Sequence, residues 1–153
     1  MFRLLMAGLH LLALGLGMGA VLTRGNTLRE PLTLDSLRRT FSADNLWAVA
    51  FILWIVTGVW RMAAGLEKAR EYYEMNHIFM LKMGLLVLLL ALEVWPMITL
   101  IRWRREVRRG QSPAAFAPVS KARRIATLSH VQALILVLMI FAAVSMARGY
   151  GLN

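Results

Sequence analysis

Ionisable side chains standing inside apolar runs are the residues of this sequence able to do chemistry. Lipid tolerates them only where they pair, ligate or face a polar cavity. His10 lies within LLMAGLHLLALGLGMGA, residues 4–20. Asp44 and Arg61 stand on either side of WAVAFILWIVTGVW, and Lys82 and Glu93 bracket MGLLVLLLAL. His130 has Ser129 beside it and Gln132 nearby, and His77 precedes Lys82 by five residues. An imidazole so placed could ligate haem iron, with Lys or Arg at the propionates. Matched acids and bases could instead form a structural hydrogen-bond network or pass protons.

Absent residue types narrow the chemistry. There is no cysteine, which excludes disulfides, thiolate zinc sites, iron–sulfur clusters and covalent haem attachment. No HExxH, GxSxG, P-loop or dinucleotide-binding glycine pattern occurs. His10, His77 and His130 fall at depths that differ by about half the membrane, which argues against one three-histidine metal site. The net charge of +10 would suggest nucleic acid in a soluble chain. Here the basic residues gather in the connections between apolar runs, as they do in membrane proteins, so nucleic-acid binding is not expected.

The elements that must carry these residues follow from hydropathy. Of the 153 residues, 59% are hydrophobic, and nearly all of them fall in four segments of about 20 residues, the length that crosses a bilayer. The pattern predicts an all-α integral membrane four-helix bundle, one membrane domain over residues 1–153, with spans at 2–22, 44–65, 76–101 and 125–147. The first run could be a signal peptide, with Arg3 as its n-region. Its length and its mid-run histidine favour a retained helix. Leu34, Leu37 and Phe41, at i, i+3 and i+7 with Arg38 and Arg39 beside them, predict a short interfacial helix in the first connection. QSPAAFAPVS in the third connection reads as a loop. Arg24, Arg29, Arg38 and Arg39 in the first connection and eight Lys and Arg in the third outnumber the cations of the opposite side, Arg3, Arg61, Lys68, Arg70 and Arg148. By the positive-inside rule both termini face out.

Helical periodicity sorts the polar residues by face and depth. His10 shares a smooth face with Ala13, Gly17, Ala20 and Arg24, a surface suited to close helix approach or to a flat ligand. Asp44, Trp47, Phe51, Trp54, Gly58 and Arg61 form one stripe of the second span, which suits packing, lipid contact or a planar apolar ligand. Lys82 and Glu93 share a face but stand about 16 Å apart by helix rise, so each needs a partner from elsewhere. Two layers result. The outer one contains His10, Lys82, His77 and Arg61, with Tyr72, Tyr73 and Glu74 above it. The inner one contains Glu93, His130, Asp44 and Arg24.

Three functions are compatible with that arrangement. A haem b or porphyrin-binding redox protein would use His10 as the iron ligand, Lys82 or Arg61 near the propionates, and Trp54 or Trp47 against the ring. A non-enzymatic assembly or accessory subunit of a larger membrane complex, or a homo-oligomer, would use the glycine-rich and aromatic faces for packing. A transporter of a small solute or of protons would run along Lys82, Glu93 and His130.

The order of His10, Asp44, Thr57-Gly58 with Arg61, YYEMNHIFMLKMG, a proline before IRWRR and a closing MARGYG resembles a bacterial family of small four-helix inner-membrane proteins of unknown function. His77 departs from that pattern, where proline or another small residue is expected after the asparagine. The resemblance implies a multi-pass protein of the bacterial plasma membrane. More distantly, a first-span histidine, a second-span glycine and a third-span lysine are similar to the four-helix membrane protoporphyrinogen oxidases that contain haem b. That likeness implies haem binding for His10 and a functional role for Lys82. The Trp-rich run which follows the histidine in those enzymes is replaced here by LLALGLGMG.

Overall fold

The computed structural model describes residues 1–64 and 76–151. Gly65, Lys68, Arg70, Tyr72, Tyr73 and Glu74 lie outside the described residues. Among the described residues five helices follow in order: α1 (Phe2–Thr27), α2 (Leu34–Ala63), α3 (His77–Arg108), the single turn α4 (Pro113–Phe116) and α5 (Val119–Ala147). Among the described residues, no strand occurs. α1, α2, α3 and α5 are each long and apolar enough to cross a membrane. With 26, 30, 32 and 29 residues they measure about 39 to 48 Å at the helical rise, more than the ~30 Å hydrocarbon layer.

The helices therefore outrun the apolar segments, because breakers rather than hydropathy decide where they stop. α1 continues past Leu22 to Thr27, ahead of Pro31. Thr33 then starts α2 through a capping box with Ser36, each side chain bonding the other's backbone N–H. From there no proline or glycine interrupts the chain until Gly58. The stretch Leu34–Phe41, expected as a separate interfacial helix, is accordingly the first turns of α2. Leu37 is fully buried, Phe41 packs on the core and Leu34 is exposed. α3 runs beyond Ile101 to Arg108 and ends ahead of Gly110, whose φ of 77° L side chains rarely adopt.

α1 packs along α2, and α5 packs against both α1 and α3. Ala13, Ala20, Trp47, Trp54, Leu89, Leu136 and Met139 belong to one apolar cluster in mid-bundle. A second joins Leu28, Leu37, Leu100, Trp103, Ala122 and Ile125 where the first and third connections meet. The opposite end is tied by the closing turn. Asn76 caps α3 by accepting from the Ile78 and Phe79 amides, and its Nδ2 donates to the Tyr150 carbonyl at 3.0 Å. The His77 amide donates to the Gly151 carbonyl. Large apolar side chains such as Leu11, Val49, Ile52, Val87 and Phe141 point outward, the arrangement lipid rather than water favours.

Candidate functional site

Arg24 occupies the centre of the bundle with no exposed surface. α1 brings it there because Ala13, Gly17 and Ala20, on the same face, let α2 approach closely; a Cβ on Gly17 would stand 3.1 Å from Trp47. All five guanidinium N–H donors are used. Nε donates to Ser129 Oγ at 3.0 Å. Nη1 donates to Asp44 Oδ1 at 2.9 Å and Glu93 Oε1 at 2.7 Å. Nη2 donates to Glu93 Oε2 at 2.9 Å and Gln132 Oε1 at 2.7 Å. The Glu93 contact is thus a two-pronged fork, the strongest geometry available to this pair. Gln132 Nε2 donates back to Glu93 Oε2 at 2.7 Å, so α1, α2, α3 and α5 all meet at one cation.

The network continues outward from Asp44. Its Oδ2 accepts from Arg104 Nη2 at 2.7 Å, and the same nitrogen donates to the Phe41 carbonyl. Arg104 also donates to Asn45 and lies over the Phe41 ring. Two guanidinium groups thereby face two carboxylates, and the cluster is neutral as a whole. Asp44, on the buried face of α2, thus has both carboxylate oxygens paired.

Of the inner layer expected from the sequence, Arg24, Asp44 and Glu93 are joined directly. His130 stands beside them without joining: its Nδ1 donates to the Ala126 carbonyl at 2.7 Å and its Nε2 lies 3.1 Å from Asn26 Oδ1. Three bonded members, Ser129, Gln132 and Arg104, were not among the expected site residues. Ser129 and Gln132 share a helix face at i, i+3. Arg104 falls on the face of Glu93 and Leu100, eleven and four residues before it, a signal hidden when Arg104 is counted with the connection.

His10 lies fourteen residues before Arg24, about 21 Å along the helix, so two polar layers are present. His10 Nδ1 is 2.9 Å from Thr57 Oγ1. The Thr57 hydroxyl has one proton, and the Leu53 carbonyl at 2.7 Å can only accept it. With the Thr57 proton donated to the Leu53 carbonyl, Nδ1 donates to Thr57 and Nε2 holds the lone pair; with that proton donated to Nδ1, the roles of the two ring nitrogens exchange. The ring stacks on Trp54, 5.7 Å between centroids at 29°, and a Cβ on Gly58 would come within 3.1 Å of it. Trp54 is 5% exposed, and among the described residues its Nε1–H has no acceptor. Lys82 is half-buried in the second turn of α3, Arg61 half-buried in the last turn of α2, and His77 exposed at the start of α3. The contacts described here for His10 all come from α2. Among the described residues, no group of three or more His, Asp or Glu is placed to hold a metal ion.

Four apolar helices closed around a balanced ionic cluster define a small helical membrane protein. The sequence pattern of the family described as "Predicted membrane protein (DUF2214)" matches residues 2–151, and the chain belongs to that family. No curated protein and no solved structure matches it. The protoporphyrinogen oxidases are not among these findings.

Proposed function

We propose that this membrane protein binds a haem b or related porphyrin in the half of the bundle that contains His10. The observation behind this reading is the contact of His10 Nδ1 with Thr57 Oγ1 at 2.9 Å, which orients the ring. A ligating histidine characteristically donates its second ring nitrogen to a neighbour that fixes ring and tautomer, and Thr57 is that neighbour here. With Nδ1 turned to Thr57, Nε2 is the ring nitrogen that a haem iron would take. It does not fit on the small face of α1, since Ala13 and Ala20 are buried in the core and Gly17 is closed by Trp47. The ring would therefore lie on the Nε2 side, with Trp54 backing the imidazole rather than covering the porphyrin. Lys82 and Arg61 would serve the propionates. Haem, when bound, supplies one-electron chemistry at iron; the chain's own part is to hold Nε2 and to exclude water from it. In this reading the protein belongs to the bacterial plasma membrane, and the cation-rich end of the bundle faces the cytoplasm.

The absorption spectrum of detergent-purified protein from haem-replete cells tests this. A Soret band lost in His10→Ala and altered in Thr57→Val is expected. A colourless protein, or a band indifferent to His10→Ala, refutes it.

One observation favours a second reading, an assembly or accessory subunit. Every donor of Arg24 is satisfied inside the bundle, as in a scaffold whose polar core serves shape alone. A stoichiometric membrane partner co-purifying without a chromophore would support it. Transport along Lys82, Glu93 and His130 gains nothing from the geometry. Glu93 is held by Arg24 and Gln132, and His130 by Ala126 and Asn26.

A further inference from the structure

A different chemistry stands at the other end of the bundle, where α3 finishes and α5 begins. From Arg102 to the end of the sequence the only acidic side chain is Glu106, and Arg109 binds it at 2.9 Å. Arg102, Lys121 and Arg124 are exposed, and among the described residues none of them has an ion-pair partner. Three cations are thus concentrated without a counter-charge.

Their placement is specific. The Arg124 guanidinium lies 5.6 Å from the centroid of the Trp95 ring, which joins α5 to α3 at their outer seam. Trp95 is 37% exposed, so the pair faces outward. Arg102 follows Trp95 by seven residues on the same face of α3, and Lys121 precedes Arg124 by three on α5. The two helices run antiparallel, so both cations lie on the connection side of the Trp95–Arg124 pair, about 10 Å and about 4.5 Å along their axes. On the other side the seam turns apolar. Leu88, seven residues before Trp95, and Val131, seven after Arg124, are both exposed.

A tryptophan at the boundary, cations to one side and exposed aliphatics to the other reproduce the layering of a phospholipid molecule. We propose that the α3–α5 seam is a binding site for an anionic phospholipid. Its phosphate would lie among Arg124, Arg102 and Lys121, and its acyl chain along Trp95, Leu88 and Val131. A choline or ethanolamine headgroup would add a cation to three unneutralised ones and is disfavoured. A soluble phosphate would use the cations and leave the apolar half of the seam without a function.

Native mass spectrometry of the detergent-solubilised full chain, with phosphatidylglycerol or phosphatidylcholine added, tests the site. Phosphatidylglycerol should be retained about thirtyfold better than phosphatidylcholine, the factor expected of two cation contacts at a membrane surface. Arg102→Gln with Arg124→Gln should remove that preference, while Arg29→Gln, exposed at the same end of the bundle, should leave it intact. All three positions are exposed, and an unchanged elution volume shows that the variants fold. Equal retention of both lipids overturns the proposal, as does a preference surviving the double substitution. Displacement of the lipid by millimolar inorganic phosphate would identify a soluble anion as the ligand and overturn it as well.

Discussion

Replacing Arg24 tests whether one buried cation holds four helices together. In Arg24→Met the fork to Glu93 disappears, along with the bonds to Asp44, Ser129 and Gln132. Asp44 keeps Arg104 as a counter-charge. Among the described residues Glu93 keeps only the Gln132 amide and becomes a half-buried, uncompensated carboxylate. Breaking a buried pair from one side costs about 3–5 kcal/mol, so Arg24→Met should lose about 3–5 kcal/mol. Arg24→Lys keeps the charge but has three donors where five are used. Two acceptors then go unsatisfied at about 1–3 kcal/mol each, and a loss of about 2–6 kcal/mol is expected. Arg24→Met combined with Glu93→Met removes both members of the fork and leaves the Asp44–Arg104 pair balanced. The double variant should be more stable than Arg24→Met alone, with a coupling of about 2–3 kcal/mol. Unfolding in mixed micelles against SDS mole fraction, followed by tryptophan fluorescence, measures all five proteins, the single variant Glu93→Met included. A fully stable Arg24→Lys, or a double variant whose loss is the sum of the two single losses, would refute the keystone role.

Other substitutions probe close approaches. A Cβ on Gly25 would stand 2.7 Å from His130 Cε1 and 3.2 Å from Ser129 Cβ, so Gly25→Ala should cost about 1–3 kcal/mol by overpacking. Gly15→Ala, with nothing within 4 Å, should be neutral or stabilising in the same SDS titration. Gly151 has a φ of 94° and would place a Cβ 2.5 Å from Asn76 Oδ1. Gly151→Ala should therefore release the closing turn, read as faster hydrogen exchange of the first amides of α3. Trp54→Phe removes a buried N–H with no acceptor among the described residues, an omission worth about 1–3 kcal/mol, and should be at least as stable as the parent. A clear loss of stability would instead reveal a buried acceptor for Nε1 beside His10.

How much of this was legible in the sequence depends on what each signal measures. Four apolar runs predict four spans because backbone groups in lipid must be satisfied within the helix. Arg24, Asp44 and Glu93 could be brought together in advance, since helix rise sets their depth and burial compels them to pair. Arg104 could not. Hydropathy assigns it to a connection, whereas α3 stops only ahead of Gly110, and the continued helix returns Arg104 to the face of Glu93. The separate interfacial helix failed for the same reason: nothing after Thr33 breaks α2 before it enters the span.

The small face of α1 and the aromatic stripe of α2 carry a different lesson. Periodicity describes each helix alone, and each surface taken alone suits a flat ligand. Packed together they consume one another. Trp47 closes Gly17, Trp54 backs His10, and Ala50 lies within 4 Å of where a Gly17 Cβ would be. A groove of small residues opposite a row of large ones is a complementary helix interface, and its volume is already spent. What survives from the chemical reading is the His10 imidazole, whose Nδ1 is turned to Thr57. A planar ligand must therefore approach from the edge of the imidazole that faces away from Thr57. Thr57→Val, which removes the Nδ1 contact, should perturb a bound haem while leaving the α1–α2 packing intact. If it instead loosens the bundle as severely as Arg24→Met, His10 is a packing residue and the porphyrin reading falls with it.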